Sequence, residues 1–234
     1  MRTKILRWLN SQKEEKYKNF SAKLLPKEVK LLGVRIPELR KYVKQIIKNN
    51  ITDSVFNQNL KNMEYQEELM IYALSLANCK ISTDIKIKKI KAFIPYINSW
   101  AVCDIFCADL KEIKKNPQYY YDIFLEYTKS NYEYQIRFFY VLALNYFLTD
   151  ELLDSLLYNI KQQNYIGYYD KMAVAWLLSV AYVKYPQEIE EFIFNQKLDD
   201  FIFKKTISKI NDSYRVGAEA KARLRALALI QLNK

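Results

Sequence analysis

The sequence predicts an all-α protein, and three observations support this fold class. Apolar residues recur at helical spacing along almost the whole chain, as at Ile71 and Leu74 or at Phe139 and Leu142. Only 3 of the 234 residues are glycine, and no stretch has a convincing strand pattern. Half of the residues are apolar, which disfavours a disordered chain. We therefore expect roughly a dozen helices of about 10–16 residues joined by short turns.

Prolines and glycines mark where these helices begin and end. Proline is favoured at the first position of a helix, and three prolines open helical segments: Pro37, Pro117 and Pro186. The three glycines lie near segment boundaries: Gly33, Gly167 and Gly217. No linker rich in proline, glycine or serine interrupts the chain, so we predict a single domain over residues 1–234.

The formal net charge of +11 is concentrated at the two ends of the chain. Residues 1–50 hold 14 Lys/Arg against 4 Asp/Glu, and residues 201–234 hold 8 against 2. Residues 51–200 hold 15 against 20 and are mildly acidic. A basic surface attracts nucleic-acid phosphates or an anionic membrane. The charge pattern alone is compatible with a nucleic acid, with an anionic membrane and with a surface charge that only keeps the protein soluble.

The sequence indicates neither a membrane protein nor an exported one. No apolar run approaches the roughly 18 residues that span a bilayer, and the N-terminus is too charged for a signal peptide. Cys79, Cys103 and Cys107 fall in helical apolar patterns, which suits reduced thiols rather than a zinc site. We expect a monomer of the bacterial cytoplasm or nucleoid, with no metal, no cofactor and no membrane partner.

Two tryptophans and two arginines are spaced along the chain at nearly equal intervals. Trp100 and Arg137 are 37 residues apart, and the next two intervals, to Trp176 and then to Arg215, are 39 residues each. Helix-pair repeats of the HEAT and armadillo type run at about 40–47 residues. Equal spacing in a solenoid places residues on one continuous face, which is where such proteins bind. We therefore predict that these residues share a binding face.

Asp104 breaks the apolar pattern of its helix. It is the only residue between Trp100 and Ala108 that is not apolar, and it shares a helix face with Trp100, one turn earlier. A buried charge is destabilising unless it is paired or solvated. In one interpretation the tryptophans fill the core and Asp104 pairs with Arg137. In the other these side chains form a functional site, which their repeat spacing favours.

Five segments carry a stronger signal when they are taken in order. They are GVRIPELRKYVKQI (33–46), INSWAVCDIF (97–106), YQIRFFYVLALNYF (134–147), YYDKMAVAWLL (168–178) and FIFKKTISKINDSYRV (201–216). Together they resemble the DNA alkylation repair family of HEAT-like-repeat glycosylases, over most of the chain. The resemblance implies a curved superhelical solenoid of about six HEAT-like helix pairs.

The resemblance also implies an activity and a site. The family removes cationic N3- and N7-alkylated purines from duplex DNA by cutting the N-glycosidic bond, without a cofactor. Asp104 matches the carboxylate that stabilises the oxocarbenium-like sugar or orients water. Trp100 and Trp176 match the residues that line the lesion, and Arg137 matches the residue that holds a phosphate. The sequence contains no histidine, which disfavours mechanisms built around an imidazole.

Basic residues in and near these segments are candidates for gripping DNA phosphates. They are Arg35, Arg40, Lys171, Lys204, Lys205, Lys209 and Arg215. For each of them alone, an ordinary solvated helix face is the simpler interpretation. Two other functions stay open: a non-catalytic binder of damaged or unusual DNA structures, and a protein-interaction scaffold. Asp104 argues against the first, and the basic ends argue against the second.

Overall fold

The computed structural model describes residues 1–196 and 198–232. Throughout these residues the regular elements are helices, and the only β-type pairing is an isolated bridge between Lys30 and Tyr65. The predicted all-α fold is therefore confirmed. None of the helices described here is long and apolar enough to cross a membrane.

The helices form two compact units, which divide between Glu112 and Ile113. The first unit contains α1 (Arg2–Gln12), α2 (Glu15–Ala22), α3 (Ile36–Lys48), α4 (Thr52–Phe56), α5 (Gln66–Asn78), α6 (Thr83–Phe93) and α7 (Trp100–Asp109). Short 3-10 turns precede α5 at Leu60–Asn62 and follow α6 at Ile94–Tyr96. Helix α4, with 5 residues, is much shorter than the sequence pattern predicts.

The second unit begins within a 3-10 turn, Lys111–Lys115, and a second such turn spans Leu125–Lys129. Its α-helices are α8 (Pro117–Phe124), α9 (Glu133–Leu142), α10 (Leu153–Gln162), α11 (Tyr168–Lys184), α12 (Pro186–Asn195), α13 (Asp200–Asp212) and α14 (Ala218–Leu232). Helix α9 continues directly into a π-helical turn, Ala143–Phe147. With 17 residues, α11 is the longest of these helices.

Alternate helices pack against one another within each unit. In the first unit α5 contacts α3 and α7, and in the second α11 contacts α9 and α13. Helix α5 lies at the centre of its core, because every residue from Gln66 to Ala77 is buried. The same alternation places Arg137 on α9 and Trp176 on the neighbouring α11. Residues at the predicted repeat spacing therefore lie on adjacent helices in this unit.

The predicted helix ends are confirmed at several positions. Pro117 and Pro186 are the first residues of α8 and α12, and Pro37 is the second residue of α3. Proline is tolerated there because the first-turn N–H groups have no partner within the helix. Gly167 precedes α11 as its N-cap residue, and Gly217 precedes α14.

Gly33 lies where only glycine fits. Its φ of +87° is in the left-handed region, which side chains disfavour. Its carbonyl accepts a hydrogen bond from the Glu14 N–H at 3.0 Å, so its backbone lies against the start of α2. A Cβ atom at this position would lie 2.6 Å from Lys18 Cβ. At Gly217, by contrast, a Cβ atom would meet nothing within 4 Å.

Gly33→Ala is expected to lower the free energy of unfolding by about 1–3 kcal/mol, because the positive φ and the close approach to α2 both oppose a side chain. Gly217→Ala is the matched control, with an expected change of at most about 0.5 kcal/mol. Urea titrations and thermal midpoints compare both variants with the wild type. An unchanged midpoint for Gly33→Ala would contradict the backbone conformation described here.

Candidate functional site

Helix α7 positions the first two predicted site residues. Ser99 caps the helix, because its Oγ accepts a hydrogen bond from the Val102 N–H at 3.3 Å. Trp100 is the first helical residue, Asp104 lies one turn later, and both are half-buried. Cys103, between them in sequence, is fully buried. Trp100 is therefore not a fully buried core residue, and it shares a partly exposed helix face with Asp104.

The segment before α3 fixes the ring of Trp100. The indole N–H donates to the carbonyl oxygen of Leu24 at 2.9 Å. The ring packs against a buried cluster of Leu25, Val29 and Leu31. A hydrogen bond at one end and apolar contacts along the ring set both the position and the orientation of an indole. Trp100 is therefore held by a loop rather than by its own helix.

Glu67 on α5 holds the same segment in place. Its side chain is buried, and its Oε1 accepts hydrogen bonds from the backbone N–H groups of Leu32, Gly33 and Val34 at 3.0, 2.7 and 3.2 Å. Hydrogen bonds to a charged group contribute about 1.5–3 kcal/mol each. Together they offset the desolvation of the carboxylate. Glu67 thus joins α5 to the loop that supports Trp100.

Trp100 and Asp104 line one pocket of about 300 Å³. Arg40 on α3 also lines it, and Phe20 and Leu24 form a wall on the side of α2. Both wall residues are more than half exposed, at 62% and 51%. The aromatic ring and the carboxylate suit a flat cationic group, and the arginine suits an anionic group. The pocket therefore suits a ligand in which both groups are joined.

The two arginines predicted to bind DNA in this unit have carboxylate partners. Arg40 Nη1 donates to Asp109 Oδ2 at 2.5 Å, and Asn78 Nδ2 donates to the same oxygen at 3.0 Å. Arg35 Nε donates to Glu14 Oε1 at 2.8 Å, and this hydrogen bond holds the pKa of Glu14 below its usual value. Any anionic ligand would therefore compete with a local carboxylate at both positions.

In the second unit, Arg137 ties α9 to the start of α11. Arg137 is 5% exposed, and its Nη1 donates to the carbonyl oxygen of Tyr169 at 2.9 Å. Glu133, one turn earlier on α9, accepts a hydrogen bond from the Tyr169 N–H at 2.9 Å. A Cβ atom at Gly167 would lie too close to Glu133 Oε2, so a side chain there would displace the carboxylate from this position. Two charged side chains of α9 thus bind both backbone groups of one residue.

Helix α11 carries Trp176, which is half-buried, and Lys171. The Lys171 ammonium donates to Asp199 Oδ2 at 2.8 Å. Asp199 also caps α13 by accepting from the N–H groups of Phe201 and Ile202. Burial favours a higher pKa for Asp199, but the ammonium and the two N–H groups outweigh it and hold the pKa below its usual value. Lys171 therefore links α11 to α13 through this cap.

Helix α13 and the turn after it present the remaining predicted basic residues. Lys204 and Arg215 are exposed, and Lys205 and Lys209 are half-buried. The Lys205 ammonium lies 5.9 Å from the ring centroid of Phe201. Helix α13 packs against α11, which carries Trp176. The three lysines therefore lie on the helix next to that of Trp176, and Arg215 lies in the turn after it.

One carboxylate, Asp104, and aromatic rings are among the groups that the pocket offers for chemistry. Nowhere in residues 1–196 or 198–232 do three cysteine or carboxylate side chains form a group that could hold a metal. All three cysteines are free and buried, and burial raises the pKa of the Cys79 thiol. A buried thiol with a raised pKa is a poor nucleophile.

The chain matches a known protein family over most of its length. The family described as DNA alkylation repair enzyme matches residues 5–210. The chain belongs to this family. No curated protein matches the chain significantly. The predicted family is thus confirmed, DNA is the substrate that it implies, and the match contains every predicted site residue of this DNA alkylation repair enzyme except Arg215.

Sequence reasoning missed the residues that support the site of this repair enzyme. Glu67 stands in QEEL, which is typical of the acidic first turn of a helix. Its partner Leu32 is 35 residues away, so no local pattern connects the two. The sequence gives a weak indication of the wall residue Phe20, because it is a large apolar residue in a charged segment. None of the residues of its helix, α2, is buried.

Glu67→Gln is expected to lower the free energy of unfolding by roughly 2–3 kcal/mol, because it removes the charge and turns an amide N–H₂ toward backbone donors. Glu64→Gln is the control, since Glu64 is 54% exposed and its ion pairs contribute at most about 1 kcal/mol. Urea titration, followed by the intrinsic fluorescence of the three tryptophans, measures both variants. Equal stability of the two variants would contradict a supporting role for Glu67.

Proposed function

We propose that this protein is a DNA glycosylase that excises cationic N3- and N7-alkylated purines from duplex DNA. The observation that carries the proposal is that Trp100 and Asp104 line one pocket in a chain of the alkylation repair family. We further propose that about six HEAT-like helix pairs form a curved superhelical solenoid that binds the duplex. The protein acts as a monomer in the bacterial cytoplasm or nucleoid.

The positive charge of the alkylated base makes it a good leaving group. When the bond between C1′ and the base nitrogen breaks, its electron pair neutralises the base, so a general acid and a cofactor are not needed. The sugar passes through an oxocarbenium-like state. A water oxygen then bonds to C1′ and releases a proton. Because the sequence contains no histidine, a carboxylate is the suitable group to receive that proton.

Asp104 supplies the negative charge beside the sugar. From its half-buried position in the pocket, it stabilises the sugar cation, orients the water and accepts its proton. Preorganised electrostatic stabilisation of this kind amounts to about 3–4 kcal/mol. Trp100, held by the Leu24 carbonyl, lines the sugar and the base. A cation over an aromatic face gains about 0.5–2 kcal/mol.

The second unit supplies Trp176 and Arg137. We assign Trp176, whose side chain is half-buried, to the lining of the lesion. We assign Arg137 to a phosphate next to the lesion, because the forked donors of a guanidinium match phosphate oxygens. The bond to the Tyr169 carbonyl fixes the plane of that guanidinium.

Seven basic residues are assigned to phosphates on either side of the lesion: Arg35, Arg40, Lys171, Lys204, Lys205, Lys209 and Arg215. Arg35, Arg40 and Lys171 carry a carboxylate partner in the free protein. These three lose part of that pairing when a phosphate binds, which reduces their net contribution. The exposed Lys204 and Arg215 therefore contribute most of the salt-dependent affinity.

Asp104→Asn is expected to slow the release of N7-methylguanine by roughly 10²–10³-fold, because the sugar cation loses its counter-charge. Duplex binding stays within a few-fold of wild type. Mass spectrometry of free base from a duplex with one N7-methylguanine measures release, and fluorescence anisotropy measures binding. Asp122→Asn is the matched control, since Asp122 is exposed on α8 and loses the same charge.

The outcomes of this experiment separate the open functions. Release by the wild type and by Asp122→Asn, but not by Asp104→Asn, supports the glycosylase. An equal loss of binding and release in Asp104→Asn would mean that this carboxylate is structural. Tight binding with no release from an N7-methylguanine or an N3-methyladenine duplex would favour a non-catalytic binder of unusual DNA.

Lys204→Ala is expected to weaken binding to all duplexes alike and to reduce the slope of log K against log salt by about 0.9, the value for one phosphate contact. Lys161→Ala is the control, since Lys161 is an exposed lysine on α10. Anisotropy titrations at several salt concentrations measure both variants. A loss confined to lesion-bearing DNA would contradict this role, and salt-insensitive binding by the wild type would favour a protein-interaction scaffold.

A further inference from the structure

A second groove in the first unit adjoins the lesion pocket. Its volume is about 490 Å³, and it lies between α3, α5 and the end of α7. Val43, Ile47 and Leu74 give it an apolar floor. Arg40 lines both this groove and the pocket that contains Asp104. The groove therefore continues the proposed lesion site along the same helices.

Four cations line this groove. Arg40, Lys44 and Lys48 follow one another at intervals of four residues on α3, so they share one helix face. Lys111 joins them from the turn after α7. The carboxylate among the lining residues is Asp109, which already binds Arg40.

The charge of the three lysines is not compensated by the protein. Lys44, Lys48 and Lys111 are exposed, and within residues 1–196 and 198–232 none of them forms an ion pair with a carboxylate. The partial negative charge at the end of α3 favours Lys48 but is worth less than one full charge. Like charges that converge on one groove repel each other, and a bound polyanion relieves this repulsion. The groove is therefore suited to several phosphates at once.

We propose that this groove holds the phosphate backbone of duplex DNA beside the lesion pocket. The inference rests on the proposed function in one respect, that DNA is the ligand. Lysines bind backbone phosphates as point charges, and the apolar floor suits the deoxyribose between them. Because Arg40 belongs to both sites, one strand passes from the pocket into the groove. A free phosphate would use the cations alone and leave the floor uncovered.

A pair of triple variants with equal charge tests the proposal. The groove variant combines Lys44→Ala, Lys48→Ala and Lys111→Ala. The matched control removes three exposed lysines of the same unit outside the groove: Lys61→Ala, Lys80→Ala and Lys88→Ala. Fluorescence anisotropy with a fluorescein-labelled undamaged duplex measures affinity across a series of NaCl concentrations. Thermal midpoints check that each variant is folded.

The groove variant is expected to lose about tenfold or more in affinity near 0.1 M salt, and its log K–log salt slope to fall by roughly 2–3. The control variant loses much less, and arginine at the three groove positions restores binding. Equal losses in both triple variants would overturn the proposal, because general charge would explain them. So would a lower thermal midpoint with unchanged affinity, because the lysines would then only support helix ends.

The undamaged duplex keeps this test separate from the glycosylase proposal. A wild type that binds through the groove but releases no alkylated base would overturn the proposed reaction and leave the groove assignment standing. If the wild type releases base and the groove variant binds as well as the control, the groove assignment would be overturned and the proposed reaction would stand.

Discussion

The candidate site depends on the hydrogen bonds between one buried carboxylate, Glu67, and three backbone N–H groups. Neither the carboxylate nor the N–H groups would be stable in the interior without the other. The carboxylate would be buried without a partner, and the N–H groups of residues 32–34, which belong to no helix or sheet, would lack an acceptor. Bound together, they set the path of the loop from Leu24 onward. That path places the Leu24 carbonyl and the buried cluster under Trp100, and so determines one wall of the pocket.

The second unit uses charged side chains in the same way. Glu133 and Arg137 bind the N–H and the carbonyl of Tyr169, and Asp199 binds the first amides of α13. These charges position helices, so their first role is structural. Lysines such as Lys204, which are exposed and make no ion pair in the regions that the structure describes, are available to a ligand. Whether a basic residue is paired with a carboxylate therefore indicates its availability to a ligand better than the number of basic residues does.

Local physics explains which features were predictable from sequence. Helix periodicity, prolines at helix starts and the Ser99 cap act over three or four residues, so the sequence displays them directly. The positions of Arg137 and Trp176 on neighbouring helices follow from their repeat spacing. The partner of Arg40, by contrast, is 69 residues away. Contacts over such distances depend on tertiary packing, and so does the half-burial of Trp100.

The apolar walls of the pocket matter to the proposed reaction as much as Asp104 does. A fully buried carboxylate would be strongly desolvated, and its raised pKa would favour the neutral form. A fully exposed one would be screened, since two unit charges 4 Å apart interact by about 1 kcal/mol in water but about 4 kcal/mol at an effective dielectric constant of 20. That difference of about 3 kcal/mol corresponds to roughly a hundredfold in rate. Asp104 is half-buried in the pocket that Trp100 and Phe20 also line, so the field of a carboxylate at this position on a sugar cation is only partly screened. The exposed Phe20 on α2 is therefore part of the electrostatics of the site, although it carries no charge.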